Sequence, residues 1–215
     1  MTNPRVNYDQ IAPEYDARFT SDGLTGTGKA LLELTRTLNV SRIVEVACCT
    51  GYWLAALHSD ARELYGLDLS FGMLSQAQKR KLPIKLVGGL AERLPFEDAS
   101  FDLVFCVNAM HLFDDSQVFV NEAYRVLRAG GTLAIIGADL HGGKDSWYGF
   151  HFFGGTYETD LRRFPAWATV SEWLATVGFE KIELQQVERI VETKRGREVL
   201  GIPFSARRVA RGWHC

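Results

Sequence analysis

Short apolar runs alternate along the chain with amphipathic segments. The apolar runs are rich in aliphatic and β-branched residues, which predicts strands; they lie at 42–47, 63–70, 84–89, 101–110 and 132–140. The segments between them place apolar residues every three or four positions, which predicts helices; these lie at 28–38, 51–59, 71–81 and 115–131. Strands that alternate with helices predict the α/β class with a parallel sheet and right-handed crossovers.

The two ends of the chain extend this pattern. Residues 7–19 carry an apolar stripe at helical spacing, which predicts an N-terminal helix. An irregular stretch dense in aromatic residues is expected over 141–165, followed by a helix at 169–179. Two more strand candidates lie at 180–190 and 204–213.

Composition and charge narrow the class of partner. The chain has 215 residues, 47% hydrophobic and 23% charged, which is typical of a soluble globular domain. A formal net charge of −2 gives no general attraction for nucleic acid or an anionic membrane. No apolar run reaches the ~18 residues of a membrane span, and the first ten residues lack the apolar core of a signal peptide. We therefore expect a cytoplasmic protein that acts on a small molecule, with neither nucleic acid nor membrane as partner. Its oligomeric state stays open.

The segments that follow the predicted strands are the candidates for a ligand site. In open parallel sheets, ligands bind beyond the carboxyl ends of the strands. Four segments would meet there, namely "ACCTG" (47–51), Asp68, "GGLAE" (88–92) and "NAMH" (108–111). A carboxylate at the end of the second strand can accept hydrogen bonds from ribose hydroxyls. Asp68 could instead be an acid that complements the dipole of the next helix.

The loop after the first strand distinguishes two cofactor classes. A nicotinamide dinucleotide requires a G-x-G-x-x-G turn, and "ACCTGYW" does not supply that pattern. A positively charged adenosyl sulfonium requires an acid near the turn. Glu45 is such an acid, placed inside an apolar strand.

Four blocks of sequence together resemble the class I S-adenosylmethionine-dependent methyltransferases. They are "YDQIAPEYD" (8–16), "VEVACCTGYW" (44–53), "GGLAERLPFEDASFDLVFCVNAMHLF" (88–113) and "NEAYRVLRAGGTLAII" (121–136). The resemblance implies a doubly wound, Rossmann-like sheet of seven strands, mostly parallel with an antiparallel last strand, and an N-terminal helical lid. It also implies one domain over 1–215, divided into a lid (1–38), a cofactor-binding core (39–138), a substrate-covering insertion (139–170) and a C-terminal helix with strands (171–215).

The resemblance also implies a site for S-adenosyl-L-methionine. Glu45 would lie near the methionine amino end and Asp68 would hold the ribose, while the lid would close over the cofactor. The full set of implied cofactor-binding residues is Tyr8, Tyr15, Glu45, Ala47, Cys49, Gly51, Asp68, Leu69, Met73, Leu90, Ala91, Glu92 and Asn108. Ala47 and Cys49 stand where the family has glycines, and Leu90 stands where it usually has an acid. If the backbone at 47 or 49 has a positive φ, a Cβ there costs ~1–2 kcal/mol; if φ is negative, the main cost is lost room for the ligand. The missing acid at position 90 costs one hydrogen bond, ~0.5–1.5 kcal/mol. These changes are expected to weaken the site.

Histidines and aromatic residues supply candidates for the acceptor side. His111 would face the crevice and could act as a general base, or it could simply pack at a helix start. The aromatic stretch could wall an apolar acceptor site, or form core against the lid, or do both. The candidate substrate-binding residues are His141, Trp147, Tyr148, His151, Phe152 and Tyr157. No spacing of potential ligands indicates a metal site.

The sequence thus predicts methyl transfer from S-adenosylmethionine to a small apolar or aromatic acceptor. The alternative is a related protein with a degenerate cofactor site. Such a protein would act as a binding or scaffold domain, or would catalyse chemistry other than methylation.

Overall fold

In the computed structural model, residues 7–19, 26–142, 154–187 and 206–212 are described. The helices of this part are α1 (Tyr8–Ile11), α2 (Gly26–Thr37), α3 (Tyr52–Leu57), α4 (Phe71–Lys79), α5 (Ser116–Val126), α6 (Thr156–Arg163) and α7 (Trp167–Val177), with 3-10 helices at Ala12–Arg18 and Met110–Leu112. The strands are β1 (Arg42–Val46), β2 (Glu63–Asp68), β3 (Ile84–Gly88), β4 (Phe101–Val107), β5 (Leu127–Gly137), β6 (Phe179–Gln186) and β7 (Ala206–Gly212).

The strands form one sheet in the order β3-β2-β1-β4-β5-β7-β6. Strands β1 to β5 pair in parallel, and β7 pairs antiparallel with both β5 and β6 at one edge. The predicted α/β class with a mostly parallel, Rossmann-like sheet is therefore confirmed. Because the strand order reverses beside β1, the loops after β1 and β4 diverge and leave a crevice at the carboxyl edge.

Apolar side chains cover both faces of the sheet, as the long apolar strands require. One cluster joins β4 and β5 to the buried faces of α5 and α7, with Phe119, Val120 and Leu174 at its centre. The other joins β1 and β2 to α2 and α3, around Leu31 and Leu54. The sheet is therefore held between two helical layers, which fixes the strand ends that form the site. Among the described residues, no helix is both long enough and apolar enough to cross a membrane.

Three predicted elements differ from the structure. The helix expected over 115–131 ends at Val126, because the carbonyls of Arg125 and Val126 accept hydrogen bonds from Ala99 and Ser100 (2.9 and 2.8 Å), and β5 begins at once. The irregular stretch expected over 141–165 contains α6. The N-terminal helix changes to a 3-10 helix at Ala12, next to Pro13, which lacks the N–H that an α-helix needs.

Candidate functional site

The loop between β1 and α3 adopts left-handed backbone at three positions. Its φ angles are +59° at Ala47, +48° at Cys49 and +70° at Gly51. Only glycine adopts such angles without strain, so Ala47 and Cys49 each carry a strain of about 1–2 kcal/mol. The backbone that a glycine-rich turn would have is therefore retained even though two glycines are missing.

Asp68 lies at the end of β2 and holds this loop. One carboxylate oxygen accepts from the N–H of Cys49 and the other from the N–H of Ser70, both at 2.8 Å. The residue is only 7% exposed. Burial raises the pKa of Asp68, while the N–H donors of Ser70, Cys49 and Leu69 oppose that rise. Asp68 thus joins the first two strand ends into one rigid corner.

Glu45 is a carboxyl group buried inside the sheet at the same corner. It is 1% exposed, and its Oε2 atom has no hydrogen-bond partner among the described residues. Burial and the negative charge of Asp68 raise the pKa of Glu45 well above its ordinary value; the Leu54 backbone and the Arg80 guanidinium oppose this. A buried, unpaired carboxyl oxygen is costly, and a positively charged ligand at this corner would relieve that cost.

Exposed apolar residues lie beside the next two strand ends. Leu69 is 50% exposed and Leu90 is 40% exposed. Their loops are joined by a 3.1 Å hydrogen bond from the Gly89 N–H to the Asp68 carbonyl. Each of the two residues leaves an apolar side chain exposed in the loops that this hydrogen bond joins, which suits contact with a flat ring.

Three residues expected around the adenine are less accessible. Met73 is fully buried and Ala91 is 6% exposed, so neither presents a free surface. The Glu92 carboxylate already has hydrogen-bond partners, because its Oε1 accepts from the N–H groups of Asp114 (2.6 Å) and Asp115 (3.3 Å). It ties the loop after β3 to the turn before α5.

The loop after β4 carries Asn108 and His111. Asn108 has a φ of +50° and an exposed side chain, and its N–H donates to the Ile136 carbonyl (2.8 Å). The imidazole of His111 stacks on Phe164, with ring centroids 4.0 Å apart and an interplanar angle of 8°. Burial, together with the nearby positive charge of Arg163, lowers the pKa of His111 to about 4. His111 is therefore neutral near pH 7, and the same shift makes it a weak base.

The N-terminal segment lies across the loop after β1. The Tyr8 and Tyr15 rings meet edge to face at 6.4 Å, and Cys49 Sγ donates to the Tyr15 hydroxyl at 3.4 Å. Phe19 stacks on Tyr52 at 3.7 Å between centroids. The structure thus brings both predicted lid tyrosines to the loop region, with Tyr15 in direct contact.

Polar residues that the sequence did not single out fix this segment. Asp16 hydrogen-bonds the Thr50 hydroxyl and forms an ion pair with Arg80, whose Nε donates to the Thr50 carbonyl at 2.6 Å. We call Asp16, Thr50 and Arg80 the latch. Its members are 30 to 64 residues apart in the chain, so no local motif marks them.

A second attachment lies at the N-terminus of α4. Asp9 accepts from the Ser70 hydroxyl (2.5 Å) and from the Gly72 N–H (2.8 Å), which lowers its pKa. The backbones are so close that a Cβ on Gly72 would lie 2.8 Å from the Asp9 Cα. The segment therefore docks against a helix end that has no side chain in the way.

Of the predicted substrate residues, two are described. His141 Nε2 hydrogen-bonds the Phe164 carbonyl at 2.8 Å, and Tyr157 on α6 is 37% exposed with its hydroxyl 3.5 Å from the Leu140 carbonyl. His141 therefore contacts the residue that follows α6, and Tyr157 contacts the segment that follows β5. The others, Trp147, Tyr148, His151 and Phe152, fall outside the described residues.

Comparisons with known proteins agree with this fold. A family described as a methyltransferase domain matches residues 44–135. The chain is 34% identical over 134 residues to the demethylmenaquinone methyltransferase of Thermotoga maritima, covering 60% of this chain and 58% of that protein. It is 42% identical over 109 residues to the phthiotriol/phenolphthiotriol dimycocerosates methyltransferase of Mycobacterium leprae, covering 48% of this chain and 39% of that protein.

Solved structures show the same fold at low identity. An S-adenosylmethionine-dependent methyltransferase of Thermotoga maritima aligns with a TM-score of 0.67 and 23% identity, over 95% of this chain and 97% of that one. Phosphoethanolamine N-methyltransferase 2 of Haemonchus contortus, in complex with S-adenosyl-L-methionine, aligns at 0.70 and 16%, over 96% of this chain and 57% of that one. The [4+2]-cyclase SpnF aligns at 0.65 and 18%, over 97% and 94%.

Over residues 44–135 the chain is therefore similar to methyltransferase domains. Its fold is the one seen in S-adenosylmethionine-dependent methyltransferases. The chain spans about half the length of the curated relatives it matches.

Proposed function

We propose that this protein transfers the methyl group of S-adenosyl-L-methionine to a small apolar or aromatic acceptor. The observation that carries this proposal is the corner formed by Glu45, Asp68 and the left-handed turn at 47–51. The unpaired Glu45 oxygen suits the positive end of the cofactor, and the apolar surfaces of Leu69 and Leu90 suit its adenine ring. These features fit the cofactor in charge and in polarity.

Residues of the chain would have distinct tasks. When bound, the cofactor supplies an activated methyl group, so the protein mainly aligns the acceptor. Asp68 and Glu45 would hold the cofactor, and the latch would keep the N-terminal segment over it. His111, kept neutral by its surroundings, would line the acceptor side of the crevice, where its lowered pKa makes it a weak base.

The substrates of similar proteins support a small acceptor that carries apolar groups. They include methyltransferases for demethylmenaquinone, for phthiotriol dimycocerosates and for malonyl-[acyl-carrier protein]. His111 and Phe164 lie beside the end of β5, where we expect such an acceptor to enter. We therefore favour an aromatic or otherwise unsaturated acceptor.

Calorimetric titration with S-adenosylmethionine and S-adenosylhomocysteine tests the proposal. We expect micromolar affinity for both, and at least about tenfold weaker binding in Asp68→Ala, because two charged hydrogen bonds to the loop are lost. Glu63→Ala, a carboxylate at the exposed end of the same strand, is the matched control and should bind normally. Millimolar or absent binding by the wild type would contradict the proposal.

A second candidate is a domain that binds a ligand without methyl transfer. The strained Ala47 and Cys49 favour it, because their Cβ atoms occupy space that glycines would leave open. This candidate predicts that S-adenosylhomocysteine binds as well as S-adenosylmethionine while no labelled methyl group leaves the bound cofactor with any acceptor in a panel of quinols and phenols.

A further inference from the structure

The pairing of His111 with Phe164 joins two distant parts of the chain. His111 lies on the 3-10 turn after β4, and Phe164 follows the last residue of α6. Their rings stack nearly parallel with centroids 4.0 Å apart, so each ring covers a face of the other. This pair covers the carboxyl ends of β4 and β5, where the acceptor end of the crevice begins.

The cavity beneath this pair is too small for an organic acceptor. It has a volume of about 20 Å³ and is lined by residues of the loop after β4, the end of β5 and the segment before α7, including Asn108, His111, Gly137, Phe164 and Trp167. That is room for about one water molecule, since a water needs about 10–15 Å³ of such volume. A ring-sized acceptor can therefore enter only if one wall moves.

Phe164 is the wall best placed to move. Its backbone is fixed by two hydrogen bonds, from its N–H to the Asp160 carbonyl and from its carbonyl to His141 Nε2, both 2.8 Å. Its side chain is only partly buried, and α6, which precedes it, has no buried residue. Rotation of this side chain thus opens the cavity without breaking either bond.

We propose that Phe164 is the gate of the acceptor pocket, and that a planar, unsaturated ring of the acceptor takes its place against the imidazole of His111. This inference rests on the proposed function for its choice of pocket. It goes further by assigning the residue that selects the acceptor and the shape that the acceptor must have. A flat ring recovers the stacking that Phe164 gives up, whereas a saturated ring of the same size does not.

The charges around the pair are compatible with a neutral, weakly acidic ring. The positive charge of Arg163 acts on His111 by lowering its pKa. The Arg163 guanidinium itself lies 3.7 Å from the Asp160 carboxylate. His141 faces the Phe164 carbonyl from the loop after β5. The face of a neutral imidazole offers no charge to pair with a carboxylate or an ammonium group, which favours neutral rings such as phenols and hydroquinones over carboxylates or amines.

The test uses 1-naphthol as a planar probe and decahydro-1-naphthol as its saturated match. Binding to the full chain is followed by NMR through the imidazole Cε1–H resonance of His111, assigned with His111→Gln. In the wild type we expect 1-naphthol to shift this resonance and decahydro-1-naphthol to bind more weakly. In Phe164→Ala, 1-naphthol should bind about two- to tenfold more tightly, because no ring has to be displaced.

Phe164→Trp is the matched control, because it keeps a ring over His111 and should bind 1-naphthol no better than the wild type. Weaker 1-naphthol binding in Phe164→Ala would overturn the gate, since Phe164 would then be a wall that the probe contacts. Equal binding of the two probes would overturn the requirement for a planar ring. S-adenosylhomocysteine affinity, measured calorimetrically in each variant, should stay constant; its absence in the wild type would refute the proposed function without deciding the gate.

Discussion

The strained loop after β1 gives the sharpest quantitative prediction. Ala47 adopts a φ of +59°, and replacing it by glycine relieves about 1–2 kcal/mol of strain. The more flexible unfolded chain of the glycine variant offsets about 0.5–1 kcal/mol of that gain. Ala47 is only partly buried, so little packing is lost. We expect a net stabilisation of about 0.5–1 kcal/mol, or a rise of about 1–4 °C in the melting temperature for a chain of this size.

The matched control is Ala55→Gly, the same change within α3. There the backbone is helical, so glycine should destabilise by about 1 kcal/mol and lower the melting temperature by about 2–4 °C. Differential scanning calorimetry without ligand measures both variants. A fall in Ala47→Gly as large as that in Ala55→Gly would refute the claim that the loop is held in a glycine-type conformation.

Two further predictions concern the buried acid and the latch. Burial raises the pKa of Glu45 above its ordinary value of 4.5, so the unfolding free energy should fall as pH rises from that value towards the higher folded pKa. Glu45→Gln should remove this fall, measured as urea midpoints at pH 5 and pH 8; the same pH dependence in both proteins would contradict it. Arg80→Gln removes the ties to Asp16 and Thr50, so limited proteolysis within residues 7–19 should be about tenfold faster. Lys79→Gln is the control. Equal cleavage rates in the two variants would contradict the claim that the latch holds residues 7–19 in place.

The strands of the core were predictable because they are buried on both faces. Runs such as 101–110 are almost continuously apolar, and such runs have few other interpretations in an α/β chain. The end of α5 was not predictable, because the residues that stop it, Ala99 and Ser100, come from a different loop. The sequence around Val126 does not indicate hydrogen bonds whose partners lie in a different loop.

The residues of the candidate site also include some that the sequence could indicate and some that it could not. Glu45 and Asp68 stand at fixed offsets from strand ends, so the sequence could indicate them, although their roles toward a cofactor remain predictions. The positive φ angles of Ala47 and Cys49 were expected only as one of two possibilities, and the structure decides between them. Arg80 and Phe164 were missed, because their partners Asp16 and His111 are distant in sequence and no residue pattern connects them.

The close approach of Gly72 to Asp9 has a consequence for how this sequence can evolve. Any side chain at position 72 would collide with the N-terminal segment, since its Cβ would lie 2.8 Å from a backbone atom. The residue type that position 72 tolerates therefore depends on where residues 7–19 lie, although the two are far apart in the chain. Among homologues, a larger residue at this position should mark proteins whose N-terminal segment runs elsewhere, and a conserved glycine should mark those that share the docking seen in this chain.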